Sequence, residues 1–114
     1  IEENHIVPID LVAVNLYPFQ EAVSDPECSL EKAVENIDIG GPTLIRAAAK
    51  NFESVVVVVD TGDYQTVLAE MKASGGSVSR PTRWKLAKKA FTMTATYDKA
   101  ISETLTRWNG EERS

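Results

Sequence analysis

A chain of 114 residues, 43% hydrophobic and 25% charged, fits one globular domain at most and excludes a disordered polymer or a two-domain enzyme. Its formal charge of −5, from 17 acidic and 12 basic residues with no run of five like charges, excludes the clustered Lys and Arg face of a nucleic-acid binder. The single cysteine, Cys28, cannot form an internal disulfide, no apolar stretch approaches the roughly 20 residues that span a bilayer, and Ile1-Glu2-Glu3 lacks the basic start of a signal peptide, so the expected compartment is the cytoplasm, with no membrane partner.

Residues 9–14, Ile-Asp-Leu-Val-Ala-Val, are short, apolar and β-branched, and predict a strand. Asn15-Leu16-Tyr17-Pro18 ends it, because the residue before proline is pushed out of the α region. Ser29 is placed to cap a helix whose Leu30, Ala33, Val34 and Ile37 recur at helical spacing, and Asp38-Ile39-Gly40-Gly41 is expected to end it. Pro42 suits a first helical position, and Thr43 to Asn51, rich in alanine, predicts the next helix. Val55 to Val59 is the pattern of a strand buried on both faces, as in a parallel sheet covered by helices, with Asp60 and Gly62 closing it. Tyr64, Val67, Leu68 and Met71 form the stripe of a helix that Gly75-Gly76 terminates.

From Thr82 to Trp108 no Gly or Pro intervenes. Two apolar stripes run together there, Trp84, Ala87, Phe91, Ala95, Ile101 and Leu105 beside Leu86, Ala90, Met93 and Tyr97, which predicts a helix packed on two sides. Alternating strands and helices give the α/β class. Only two strands are supplied, whereas sheets average about five or six, so the sheet is expected to be incomplete in this chain and residues 1–114 to be part of a larger domain.

Parallel α/β sheets bind ligands beyond the carboxyl ends of their strands, which makes residues 15–19 a candidate site: Tyr17 offers a phenol and Asn15 an amide. A turn whose aromatics pack on the core explains the same residues. Residues 38–43, Asp-Ile-Gly-Gly-Pro-Thr, combine a carboxylate, two glycines and a helix start, either as a binding loop or as a helix-to-helix turn capped by Asp38. Thr43, Arg46 and Lys50 share one helix face, which either receives an anion or is a solvated edge. A partly desolvated Lys50 beside Arg46 could exchange protons near neutrality, with Asp38 offsetting its charge. Neither GxGxxG nor GxxxxGK[ST] occurs, so dinucleotide and P-loop sites find no support. His5, the only histidine, excludes a histidine metal cluster and suits the surface; Cys28 suits a structural role, and Asp98 an ion pair with a neighbouring base.

Residues 15–19 (Asn-Leu-Tyr-Pro-Phe), 35–43 (Glu-Asn-Ile-Asp-Ile-Gly-Gly-Pro-Thr), 46–51 (Arg-Ala-Ala-Ala-Lys-Asn) and 89–98 (Lys-Ala-Phe-Thr to Tyr-Asp), in that order, resemble the IMP cyclohydrolase domain of the bifunctional purine-biosynthesis enzyme, AICAR transformylase/IMP cyclohydrolase. The resemblance runs from about Ile9 to Leu105. It implies a methylglyoxal-synthase-like three-layer α/β domain with a parallel sheet. The implied reaction closes FAICAR to IMP with loss of water, without metal or organic cofactor, in a cytoplasmic homodimeric protein that also formylates AICAR with 10-formyltetrahydrofolate. By the same resemblance Lys50 matches the proton donor and acceptor, Asp38 the carboxylate on the reacting carboxamide, and Tyr17 the phenol near the formyl group. Val14, Asn15, Ile39 and Gly40 match positions that contact the nucleotide.

Three departures from the family pattern stand out. The leading segment that holds the nucleotide phosphate and helps form the oxyanion site is missing, and so is the transformylase domain. These absences imply that the isolated chain is inactive and depends on the rest of the same protein. Met93 stands where the family often has histidine, which implies altered packing rather than lost chemistry. A metabolite-sensing regulatory module on the same fold is the alternative, and it would have no reason to keep Tyr17, Asp38 and Lys50 together. Methylglyoxal synthase itself would need catalytic aspartates and a histidine that a chain with only His5 does not offer.

Overall fold

In the computed structural model, residues 10–16, 19 and 23–108 are described. In chain order they form β1 (Asp10–Ala13), α1 (Leu30–Glu35), α2 (Gly40–Lys50), β2 (Val55–Val58), α3 (Thr61–Ser74) and α4 (Arg80–Thr106). The two strands pair in parallel with Asp10 opposite Val55 and Ala13 opposite Val58, and the ladder is extended by the Val14 N–H donating to the Val58 carbonyl at 2.9 Å. A parallel pair cannot be joined by a hairpin, and here the connection runs through α1 and α2.

The valine run is buried throughout, and its period of two sorts the helices. Val55, Val57 and Val59 pack with Ile45, Ala48 and Ala49 of α2 and with Ala87 and Ala90 of α4. Val56 and Val58 pack with Val67 of α3, Val78 and Leu86. A second core lies farther along α4, where Tyr97 and Ala100 meet Phe19, Val23, Cys28, Ala33 and Trp108. Cys28 is buried there, in the structural role its isolation suggested. By contrast β1 shows most of its surface, only Val12 being half-buried.

The caps explain where the helices begin and end. Ser29 accepts from the Lys32 N–H to start α1, and Asp60 accepts from the Gly62 N–H to start α3, so Asp60 opens a helix as well as closing β2. Gly75, at φ 79°, ends α3 in the left-handed conformation that glycine adopts at least cost. Ser79 caps α4, with Pro81 in its first turn, where a missing N–H is tolerated. Two boundaries differ from expectation. Helix α1 stops at Glu35, and α2 starts at Gly40, two residues before Pro42, because the Asp38 carboxylate caps the Gly41 N–H.

The double stripe of α4 resolves into one buried side. Leu86, Ala87, Ala90, Thr94, Tyr97 and Ala100 are buried, while Trp84 and Phe91 are 50% and 40% exposed and Ala95 and Leu105 face outward. At 27 residues α4 is about 40 Å long, more than the two described strands and their helices can cover on both sides. The same shortage of partners leaves Val67 as the one buried residue of the α3 stripe, with Leu68 half exposed.

Candidate functional site

The segment after β1 and the loop before α2 meet at the carboxyl end of the sheet. Val14 is tied to β2 by its N–H, Asn15 is exposed, and both line a small cleft of about 80 Å³ with Val58, Asp60, Thr61 and Tyr64. The next residue, Leu16, lies against Gly41: a Cβ added there would stand 3.1 Å from a Leu16 methyl and 2.7 Å from Asp38 Oδ2. Gly41 therefore permits a close approach that any side chain would disturb. Gly40, in contrast, has nothing within 4 Å of such a Cβ, and Ile39 is 72% exposed.

Asp38 is held at two points. Its Oδ1 accepts from the Gly41 N–H at 2.9 Å, and its own N–H donates to the Tyr97 hydroxyl at 2.8 Å. Tyr97 is buried, with its ring edge-on to Phe19 at 6.0 Å. The structure thus supports the capped-turn reading of Asp38 and adds an anchor that spacing alone did not reveal. A phenol on a buried stripe was the available signal, since a buried tyrosine hydroxyl requires a partner.

Thr43, Arg46 and Lys50 do share a face, and that face is exposed. The Arg46 guanidinium lies 6.0 Å from the centre of the Phe91 ring. Lys50 lines an apolar groove of about 330 Å³ between α2 and α4, together with Phe52, Trp84, Lys88 and Phe91. Ten helical residues, about 15 Å of rise, separate Gly40 from Lys50, so the structure does not bring Lys50 beside Asp38 as expected. Asp38 and Gly40 stand at one end of α2, where Leu16 meets Gly41, and Lys50 marks the other, while Val14 and Asn15 line the cleft beside Asp60, Thr61 and Tyr64. Tyr17 and His5 lie outside the described residues.

The basic residues that open α4 are largely engaged in holding the fold. Arg80 forms a two-toothed pair with Glu53, the guanidinium holding that carboxyl below its ordinary value. Lys89 bridges Asp63 at 2.7 Å and Asp60 at 3.1 Å, pinning the start of α3 to α4. Asp98 is exposed, and among the described residues it makes none of the ion pairs. Among the described residues no group of three or more His, Cys, Asp or Glu could hold a metal, and no helix is long and apolar enough to cross a membrane.

Two family models match the chain: one described as AICARFT/IMPCHase bienzyme over residues 48–114, and one described as MGS-like domain over residues 1–43. The chain is 55% identical over 103 residues to the bifunctional purine biosynthesis protein PurH of Chlorobium phaeobacteroides (strain BS1), covering 90% of this chain and 20% of that protein. It is also similar to the crystal structure of ForH, with a TM-score of 0.76 and 36% identity over 98% of this chain and 57% of that one. The chain thus spans a fifth of the length of the curated relative. Together with the parallel strand pair, these matches establish the expected α/β, methylglyoxal-synthase-like fold class.

Proposed function

This chain belongs to the AICARFT/IMPCHase bienzyme family, an enzyme family of purine biosynthesis, and we propose that within its whole protein it supplies part of the site that closes FAICAR to IMP. The observation that supports this reading most is the Asp38–Gly41 loop, fixed against Leu16 at the carboxyl end of β1, where parallel α/β sheets receive ligands.

Ring closure joins the carboxamide nitrogen to the formyl carbon. As that bond forms, the carboxamide nitrogen gives up one of its two hydrogens and the carbonyl π pair moves to oxygen, which takes a proton; the hydroxyl then takes a second proton and leaves as water, while the formamide nitrogen gives up its hydrogen to leave the C=N bond. The nitrogen is a poor nucleophile, so the site must accept its proton and stabilise the oxyanion. Asp38 contacts the carboxamide, Tyr17 the formyl oxygen, and Lys50 donates and accepts the proton. Helical side chains as a rule point back toward the helix N-terminus, which for Lys50 is the side of Asp38. Val14, Asn15, Ile39 and Gly40 contact the nucleotide through the segment after β1 and the loop. The step uses no cofactor. Residues outside these 114 hold the phosphate, and the whole protein is a cytoplasmic homodimer that also carries formyl transfer.

The test is an absorbance assay of IMP formation from FAICAR with the full-length protein and its Lys50→Ala variant. A parent that closes the ring, beside a variant that loses most of its rate yet still binds IMP, supports the assignment. If parent and variant are both inactive and both bind a purine nucleotide, the chain is a sensing module.

A further inference from the structure

We propose that Tyr97 is a positioning residue for ring closure, acting through Asp38; the inference rests on the reading just given. Asp38 lies between α1 and α2, so its N–H has no helical carbonyl to bond, and the acceptor comes from 59 residues away as the Tyr97 hydroxyl at 2.8 Å. The phenol is itself fixed. Tyr97 is buried in the second core, sits about two-thirds of the way along α4, and meets the Phe19 ring in an edge-on contact. The loop backbone is therefore anchored to α4 as well as to its own neighbours.

The anchor determines where the carboxylate stands. With the Asp38 backbone held by Tyr97 and Oδ1 held by the Gly41 N–H, the side chain is tied at both ends, and the bare Cα of Gly41 leaves the room that Oδ2 occupies. Releasing the backbone tether frees the loop to shift relative to β1 while the carboxylate keeps its bond to Gly41. A displacement of about 1 Å at a reacting group can cost on the order of 100-fold in rate. Tyr97 lies in the last of the sequence blocks that carry the family resemblance, and this geometry gives its hydroxyl a role.

The experiment compares the full-length parent with Tyr97→Phe, Asp38→Asn and the double variant, measuring kcat and KM for ring closure, the melting temperature, and hydrogen exchange at the Asp38 amide. Phenylalanine keeps the ring packed on Phe19 and removes the oxygen alone. The expected result for Tyr97→Phe is a kcat lower by about 10- to 100-fold with KM within about twofold, a nearly unchanged melting temperature and faster exchange at Asp38. In the Asp38→Asn background the same change should cost little more, because its effect runs through the carboxylate. A Tyr97→Phe variant with parental kcat beside a slow Asp38→Asn overturns the positioning role and leaves the ring-closing reading intact. Equal, multiplicative losses in both backgrounds with a lowered melting temperature also overturn it, in favour of packing alone. A parent that does not close the ring removes both readings together.

Discussion

The main-chain N–H of Asp38 and the phenolic oxygen of Tyr97 meet at 2.8 Å across 59 residues of chain. The bond ties the loop that opens α2 to the C-terminal half of α4, and so couples the valine-centred core to the second core around Phe19 and Trp108. Either core alone is small, and the loop sits where they join.

Gly41 has a stricter requirement than its neighbour Gly40. Replacement by alanine brings a methyl within 2.7 Å of Asp38 Oδ2, and the carboxylate must rotate away from the Gly41 N–H. Gly41→Ala is expected to cost about 1 kcal/mol of helix capping and to slow ring closure at least tenfold. Gly62→Ala, whose added Cβ would meet Asp60 Oδ1 at 3.4 Å, should leave the ring-closing rate within about twofold of parent. Steady-state rates of the two full-length variants decide this.

Adjacent residues on α2 should differ sharply in stability. Ile45 is fully buried against the odd-numbered valines, whereas Leu44 is half exposed. Ile45→Ala is expected to cost about 2–5 kcal/mol through lost transfer energy and the cavity left behind. Leu44→Ala should stay within roughly 0.5 kcal/mol. Urea-dependent proteolysis of the full-length variants reads the difference, and equal midpoints would refute the packing described for α2.

The Asp60–Lys89–Asp63 cluster gives a pH window. The Gly62 N–H, and then Lys89, hold the Asp60 carboxyl below its ordinary value, while Asp63 first and Asp60 second hold the Lys89 ammonium above its own. A depressed carboxyl contributes stability above its unfolded value of about 3.9 and loses it as pH falls through the folded value. A raised ammonium contributes below its unfolded value of about 10.4 and loses it as pH rises through the folded one. Lys89→Met should therefore loosen the first turn of α3 by a constant amount from about pH 5 to 9, with the gap to parent closing in acid. Hydrogen exchange across that turn, parent against variant at each pH, measures it. A gap that persists at pH 2 would show that the lysine acts by packing.

The isolated 114-residue chain should be poorly soluble. Trp84, Phe91, Leu44 and Ile39 are all exposed, and β1 and β2 have only each other as partners among the described residues. Gel filtration and a thermal melt of the chain alone check this. A monodisperse, cooperatively melting species would contradict it.

The parts of this protein that local chemistry controls were legible in the residues. Five valines in a row admit one environment, a strand covered on both faces, and Ser29 and Gly75 mark helix ends because capping depends on groups a few residues away. The order of the sequence blocks was enough to indicate the family, and Asp38 could be read as a cap because the Gly41 N–H lies three residues on.

What residue spacing could not supply was which apolar stripe finds a partner. A period of 3.6 marks a face as apolar, but burial depends on what else reaches it, and one side of α4 finds partners, so Trp84 and Phe91 remain in the open while Leu86 and Tyr97 are covered. The same limit hid the Tyr97 anchor and the distance between Asp38 and Lys50. A hydrogen bond across 59 residues leaves no local trace, and two residues on one loop-helix unit read as neighbours until the straight run of α2 sets them at its opposite ends. Local propensity fixed the elements of this chain. Only their packing decided which polar groups came to stand together.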